Sequence, residues 1–420
     1  MKYSALRWWI VALLFLAAIL NYVDKNALAL LAPTIQKDLG ISDQGYAHIQ
    51  NAFQIAYTIA LLASGPLVDR FGPRICLTFF VSWWSLANAF TAFARSAFSL
   101  GSFRFLLGLG EAGNWAASLK SVTEWFPPKE RGFAIGIYTA GTPIGMTVGP
   151  LLIILLADVF GWRSAFIVTG LIGLVWLVPW LLLYRQNSAS AITEDGQQSL
   201  SASAGETVAV ESSWTWFRAL ASVEVWCLMI GRMLSDPVWF FYQNWYPKYL
   251  ASDRGLAQAD IKIVSVIFLA AGIGSLAGGW IAGRLINARR SPKQARVLVM
   301  VVCALFMPLS PLVASASSTT LSLTFASLIV FMHLAWLTNI TALLVDTVPM
   351  AAQGKVFSIV ATGSSLGAIA MNYGVARMLV SGSYAQWFWI AAWLHVAVIP
   401  FIWLVFYRKG KLRPATNSST

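Results

Sequence analysis

Residues 8–34 read WWIVALLFLAAILNYVDKNALALLAPT, an apolar run interrupted by one acid and one base, Asp24 and Lys25. About 20 apolar residues in a helix cross roughly 30 Å of hydrocarbon, so this stretch is long enough to span a bilayer. It is too long for the apolar region of a signal peptide and continues past Asp24 to Pro33, so no cleavable signal is expected. The two charges decide how the run is read. A charged side chain at the bilayer centre costs about 2.5–3.5 kcal/mol on insertion scales, and such residues are kept where they have work to do. The pattern returns at residues 97–119, where Arg104 and Glu111 stand in an otherwise uncharged stretch. Two cations and two titratable carboxylates at membrane depth suggest a site that holds an anion and carries protons.

The whole chain follows the same composition. Of its 420 residues 58% are hydrophobic and 11% charged, where a soluble domain would carry about 25% charged residues. Apolar runs predict twelve spans, roughly 8–34, 46–68, 75–94, 97–119, 132–155, 164–184, 222–250, 262–284, 297–315, 319–345, 355–379 and 384–407, numbered 1 to 12 below. The predicted fold class is therefore an all-α polytopic membrane protein. Many of the 20 Trp and 12 Tyr flank these runs, as interfacial anchors do. Cys76, Cys227 and Cys303 are scattered and imply neither a disulfide framework nor a metal site.

The net charge of +12 would suit a nucleic-acid binder, but its distribution argues otherwise. Basic residues crowd into alternate loops: Arg70 and Arg74; Lys120, Lys129 and Arg131; Arg284 to Arg296; Lys355; and Arg408 to Arg413. The intervening loops hold few. This asymmetry places both termini in the cytoplasm. Residues 185–220 are Ser-rich and polar and read as a cytoplasmic linker between two six-helix bundles, 1–184 and 221–420.

The halves echo each other. The loop after span 2 carries Gly65-x-x-x-Asp69-Arg70-x-Gly72-x-Arg74, and the loop after span 8 carries a degraded copy, Gly279 to Arg284. A parallel repeat of six spans implies a substrate site near the midplane and access that alternates by rocking. Asp69, Arg70 and Arg74 read as a latch on the cytoplasmic helix ends. In span 5, Gly141, Gly145 and Gly149 recur every fourth residue and form a smooth face for close helix approach. Pro143 and Pro150 make the same helix bendable.

These motifs resemble the major facilitator superfamily, and within it the anion:cation symporter branch and bacterial hexuronate transporters. The resemblance rests on Asn21 to Lys25, Arg104 to Ala112, Glu124-Trp-Phe-Pro127, Ser235 to Trp239 with Trp245 to Lys248, and His333-x-x-Trp336-x-x-Asn339 ending at Asp346-x-x-Pro349. It implies that a carboxylate substrate moves with protons, that Asp24 and Glu111 carry them, that Arg104 pairs with these acids, and that Lys25 and Tyr57 contact substrate. Position 25 is Lys where many relatives have Arg, which exchanges a bidentate fork for a point charge. Position 142 is Thr where some relatives have Gln.

Arg104, Gly108 and Glu111 lie at i, i+4 and i+7, one face of span 4, and Gly108 would let that face approach span 1 closely. An Arg104–Asp24–Glu111 cluster is expected. Cations favour the charged acids and burial the neutral ones, so such a cluster can exchange protons near neutral pH where the two balance. A static ion pair joining spans 1 and 4 is the alternative. Further substrate candidates are Tyr22, Gln54, Asn114, Thr142, Trp336 and Asn339, with Trp239 and Gln243 behind them. His333 reads first as hydrogen-bonded structure, with proton relay the alternative; Arg232 could be a second substrate cation, and Arg377 could snorkel to an interface.

The reading is a proton-coupled importer of sugar acids, hexuronates first, acting as a monomer in a bacterial inner membrane with no cofactor, metal or nucleic acid. An aldonate, aldarate or other organic-anion symporter or exchanger is the runner-up. A membrane nutrient sensor would need a signalling domain, for which tails 1–7 and 408–420 leave no room. No Walker A, HExxH or nucleophile motif points to an enzyme.

Overall fold

The structure, a computed structural model, describes residues 3–126, 128–184, 216–348, 353–380 and 382–408. Among these residues the regular structure is helical, and helix occupies each predicted span. The linker at 185–215 and the tail from 409 lie outside the described residues. Nine described helices are long and apolar enough to cross a membrane. Spans 3, 4 and 7 are absent from that set for sequence reasons. Span 3 follows span 2 across a kink at Gly72 and is diluted by Arg74, Thr78, Ser82, Ser85, Asn88 and Thr91. Span 4 divides into Ala97–Glu111 and Gly113–Trp125, so the helix is interrupted directly after Glu111. Span 7, Val223–Asn244, carries Glu224, Arg232 and Asp236.

Local chemistry sets the boundaries. Ser42, Ser96, Ser291 and Ser318 accept from main-chain N–H groups three residues on, starting spans 2, 4, 9 and 10. Spans 2 and 3 separate at Gly72, whose φ of 78° suits glycine. Span 5 breaks between Thr139 and Gly141, where Pro143 has no N–H for the Thr139 carbonyl. Large apolar side chains such as Phe98, Phe160, Leu276 and Trp389 are exposed on the outer faces, which water would not tolerate over so many helices but lipid does.

By contacts the chain forms two units, described here separately. The first comprises Met1–Ala191, Phe240–Leu269 and Ile369–Ser383; the second Ile192–Trp239, Ala270–Ala368 and Tyr384–Thr420. Parts of spans 7, 8 and 11 thus belong with the amino-terminal spans. Polar ties hold them there. Tyr46 donates to the Asn244 carbonyl at 2.6 Å, and Asn372 donates to Asn51 at 2.7 Å while accepting from Trp245 at 2.8 Å. Gln258 donates to the Leu30 carbonyl and accepts from Thr34, both at 2.8 Å. Lys248 pairs with Asp43.

The repeat is visible in how glycines meet carbonyls. In the first unit, a Cβ on Gly141 or Gly145 would lie 2.5 or 2.7 Å from the carbonyl oxygens of Phe15 and Ile19. In the second, a Cβ on Gly363 or Gly367 would lie 2.4 or 2.2 Å from those of Met229 and Met233. Span 5 on span 1 and span 11 on span 7 therefore share one joint, two glycines four apart against two carbonyls four apart. Only an absent side chain permits that approach. Gly367 also meets Pro237, where the proline leaves the Met233 carbonyl without its helical donor.

At the loop after span 2, Arg74 donates to the Leu181 carbonyl at 3.1 Å, tying the start of span 3 to the end of span 6. The Arg70 guanidinium lies 5.2 Å from the Phe71 ring. The Asp69 side chain lies outside the described residues. In the degraded copy, Arg284 stacks on Trp280 at 4.5 Å.

Candidate functional site

Asp24, Arg104 and Glu111 are fully buried together in the first unit, and Lys25 is partly buried beside them. Gly108 packs span 4 on span 2 rather than on span 1 as expected: a Cβ there would lie 2.5 Å from the Phe53 carbonyl, and it is the Arg104 side chain that extends to span 1. Spans 1, 2 and 4 thus share one interior.

Arg104 is placed differently from the expected carboxylate pairing. Its Nη1 donates to the Asp24 carbonyl at 3.4 Å and its Nη2 to the Lys25 carbonyl at 3.1 Å. Its guanidinium lies 4.8 Å from the Phe53 ring centre. Asp24 and Glu111 feel its charge, but its hydrogen bonds are spent on the main chain of span 1. The physical reason is reach: the helix Ala97–Glu111 packs mainly on spans 2 and 3, and the extended Arg104 side chain crosses to the span 1 carbonyls. The arrangement leaves the acids underused. Neither Glu111 oxygen has a hydrogen-bond partner, and Asp24 Oδ2 has none. Buried polar atoms are normally paired, so such exceptions mark chemistry or strain.

Lys25 Nζ sits among three aromatic faces, 4.7 Å from Tyr57, 5.4 Å from Phe53 and 5.6 Å from Tyr22. Cation–π attraction holds an ammonium in place without neutralising it, so its charge remains available to an anion. Glu111 is the first charge Lys25 faces. Tyr57 stacks on Phe53 at 5.8 Å and faces Tyr22, Glu111 and Trp115. Tyr22 and Tyr57 therefore belong with the four ionisable residues.

The other predicted residues fall further out. Gln54 is buried on span 2, one turn before Tyr57. Asn114 is buried and accepts from Ser118 at 3.4 Å. Thr142 presents an unpartnered Oγ1 beside the span 1–span 5 joint. Gln243 Nε2 lies 4.0 Å from the Met146 sulfur. Trp336 and Asn339 belong to the second unit, and both are fully buried. The Trp336 indole donates to Ser235 at 3.2 Å. Asn339 donates to the Gly278 and Ala335 carbonyls at 3.1 and 2.9 Å, bracing span 8 on span 10. Their donors thus serve packing.

Two polar clusters contain partners that were not read from the sequence. Asn88 in span 3 donates to Asp24 Oδ1 at 2.7 Å and to Thr169 in span 6 at 2.8 Å. In the second unit, Arg232 pairs with Asp236 at 2.7 Å, Ser364 donates to the same carboxylate, and His333 and His395 share a 2.9 Å hydrogen bond. The i, i+4 spacing of Arg232 and Asp236 was a readable signal; a neutral Asn or Thr in an apolar helix gives none. Among the described residues no group of three or more His, Cys, Asp or Glu could hold a metal ion.

The model of the Major Facilitator Superfamily matches residues 14–372. A galacturonate transporter of Dickeya chrysanthemi is 32% identical over 286 residues, 66% of this chain and 82% of that protein. A hexuronate transporter of Bacillus subtilis (strain 168) is 31% identical over 297 residues, 70% and 69% of the two chains. Among solved structures, a bacterial homolog of the human lysosomal transporter Spinster, inward-facing and occupied, superposes with a TM-score of 0.73 at 17% identity over 100% of this chain and 99% of that one.

Proposed function

This chain belongs to the Major Facilitator Superfamily, and we propose that it imports hexuronate-type sugar acids together with protons across a bacterial inner membrane, with both termini cytoplasmic. The observation that carries the reading is the pairing of unequal partners in one interior. Two buried carboxyls have unpartnered oxygens, and a lysine beside them is ringed by aromatic faces and faces Glu111. A carboxylate substrate takes the ammonium; protons take the carboxyl oxygens. The curated relatives named for galacturonate and hexuronate support the substrate class. Asp24 and Glu111 carry the protons, Lys25, Tyr22 and Tyr57 hold the substrate, and Arg104 fixes span 4 on span 1. Aromatic faces suit the apolar faces of a sugar ring.

Proton coupling answers an energetic problem. A membrane potential opposes entry of a monoanion by roughly 2.3 kcal/mol per 100 mV. One proton cancels that charge, and a second lets the potential drive uptake. The test is uptake of labelled glucuronate and galacturonate into proteoliposomes with and without an inward proton gradient. Accumulation above equilibrium only with the gradient is expected, with competition by galactonate and glucarate ranking the substrates. Indifference to the gradient would refute symport.

Alternating access calls for a closure that can be undone. With the basic loops inside, the ties from spans 1 and 2 to spans 7, 8 and 11 lie at extracellular helix ends. Beside the Lys248–Asp43 pair and the Tyr46–Trp245 ring contact they are hydrogen bonds, each worth about 0.5–1.5 kcal/mol, so the set can open. Asn372→Ala removes both the Asn51 and the Trp245 bond, a loss of about 1–3 kcal/mol, which moves an open–closed ratio roughly 5–150-fold. Spin labels at Ser42→Cys and Ser252→Cys, read by dipolar spectroscopy, should gain a longer-distance population in that variant. An unchanged distance distribution would mean these ties do not hold the closure.

A further inference from the structure

The proton reading leaves open what fixes Asp24 against its neighbours. Its charged neighbours are Lys25, next on its own helix, and Arg104 and Glu111 on span 4. From spans 3 and 6 it meets neutral groups, Asn88 and Thr169. Asn88 is fully buried, as is Thr169. One hydrogen of the Asn88 amide goes to Asp24 Oδ1 at 2.7 Å; the other is met by Thr169 Oγ1 at 2.8 Å and the Phe166 carbonyl at 3.3 Å. The amide nitrogen is therefore held from behind, while Asn88 Oδ1 has no hydrogen-bond partner. Asp24 Oδ1 is engaged and Oδ2 has no hydrogen-bond partner.

We propose that Asn88, braced by Thr169, is a positioning residue for proton coupling: it holds one oxygen of Asp24 in both protonation states and leaves the other as the place where the proton binds. The inference rests on the proton-coupled reading above. A hydrogen bond to a carboxylate is about twice as strong as one to a neutral carboxyl, so Asn88 favours the charged form and helps Asp24 release its proton. Arg104 acts on Asp24 by its charge: its Nη1 and Nη2 donate to the span 1 carbonyls, and its Nε has no hydrogen-bond partner. The proton itself moves between water and Oδ2, with no other bond made or broken.

Asn88→Leu keeps the volume and removes the donor. The midpoint of its uptake–pH profile should move about one unit upward, the size expected for exchanging a charge-assisted bond for none. Counterflow, which needs no proton release, should persist. Thr169→Val should move the midpoint in the same direction by less, and Thr169→Ser should restore it; this pair keeps the test alive if Asn88→Leu does not fold. Uptake and counterflow reduced in proportion, with the midpoint unmoved, would make Asn88 mere packing and overturn the proposal. A wild-type protein that ignores the proton gradient would sink the coupling reading and this inference together. A gradient-responsive wild type with unmoved variants would sink the inference alone.

Discussion

Glu111→Gln is expected to lose gradient-driven accumulation altogether while still exchanging labelled for unlabelled substrate. The side chain is fully buried, and neither carboxyl oxygen has a hydrogen-bond partner. It faces Lys25 and Arg104 and feels Asp24 beyond them. Glutamine copies the size and neutrality of protonated glutamate, so the variant is locked in the proton-loaded form. Substrate can then bind and cross with the carrier, but the carrier cannot discharge a proton inside and return empty. Each proton moved down a one-unit pH gradient is worth about 1.4 kcal/mol, a tenfold accumulation. The accumulation ratio should therefore fall from that order to about one, measured in proteoliposomes with a set internal pH. Counterflow should remain within a few-fold of wild type. Undiminished accumulation would remove Glu111 from the proton path; loss of counterflow as well would make it a structural residue.

What the sequence made legible follows from cost. Asp24, Lys25, Arg104 and Glu111 stood out because charge is expensive in hydrocarbon, and the structure brings all four into one interior. The glycines at 141 and 145 stood out by period, and they meet the span 1 carbonyls as a smooth face should. Two kinds of information stayed hidden. Neutral polar residues such as Asn88 and Thr169 carry little penalty, so nothing in an apolar run separates a working amide from an idle one. Partner choice is tertiary: the sequence placed Arg104 beside the acids, but only the packing of span 4 on spans 2 and 3 decides that its fork lands on the carbonyls of Asp24 and Lys25. Trp336 and Asn339 were read by type, and Asn339 Oδ1 has no hydrogen-bond partner. Both are polar-tipped and motif-matched, yet their donors are committed to Ser235, Gly278 and Ala335.

Lys25→Ala should weaken carboxylate binding by roughly 30–5000-fold. Truncating one member of a desolvated charge pair costs about 2–5 kcal/mol, because the other charge is left without its partner. Lys25 is the cation of this site whose head is not committed to the main chain: Arg104 donates to two carbonyls, whereas the ammonium is ringed by Tyr57, Phe53 and Tyr22 at 4.7 to 5.6 Å. On the proposed reading, the aromatic cage that holds the ammonium sets where a substrate carboxylate would dock. Lys25→Arg separates charge from geometry. It keeps the positive charge but presents a planar fork in place of a point charge, so it should recover most of the lost affinity and alter the ranking among uronates, aldonates and aldarates. Binding measured by calorimetry on the purified protein reads affinity apart from turnover. Affinity unchanged in Lys25→Ala would assign the carboxylate to another cation, and Arg232 in the second unit, whose partner Asp236 already neutralises it, would then have to break that pair to serve.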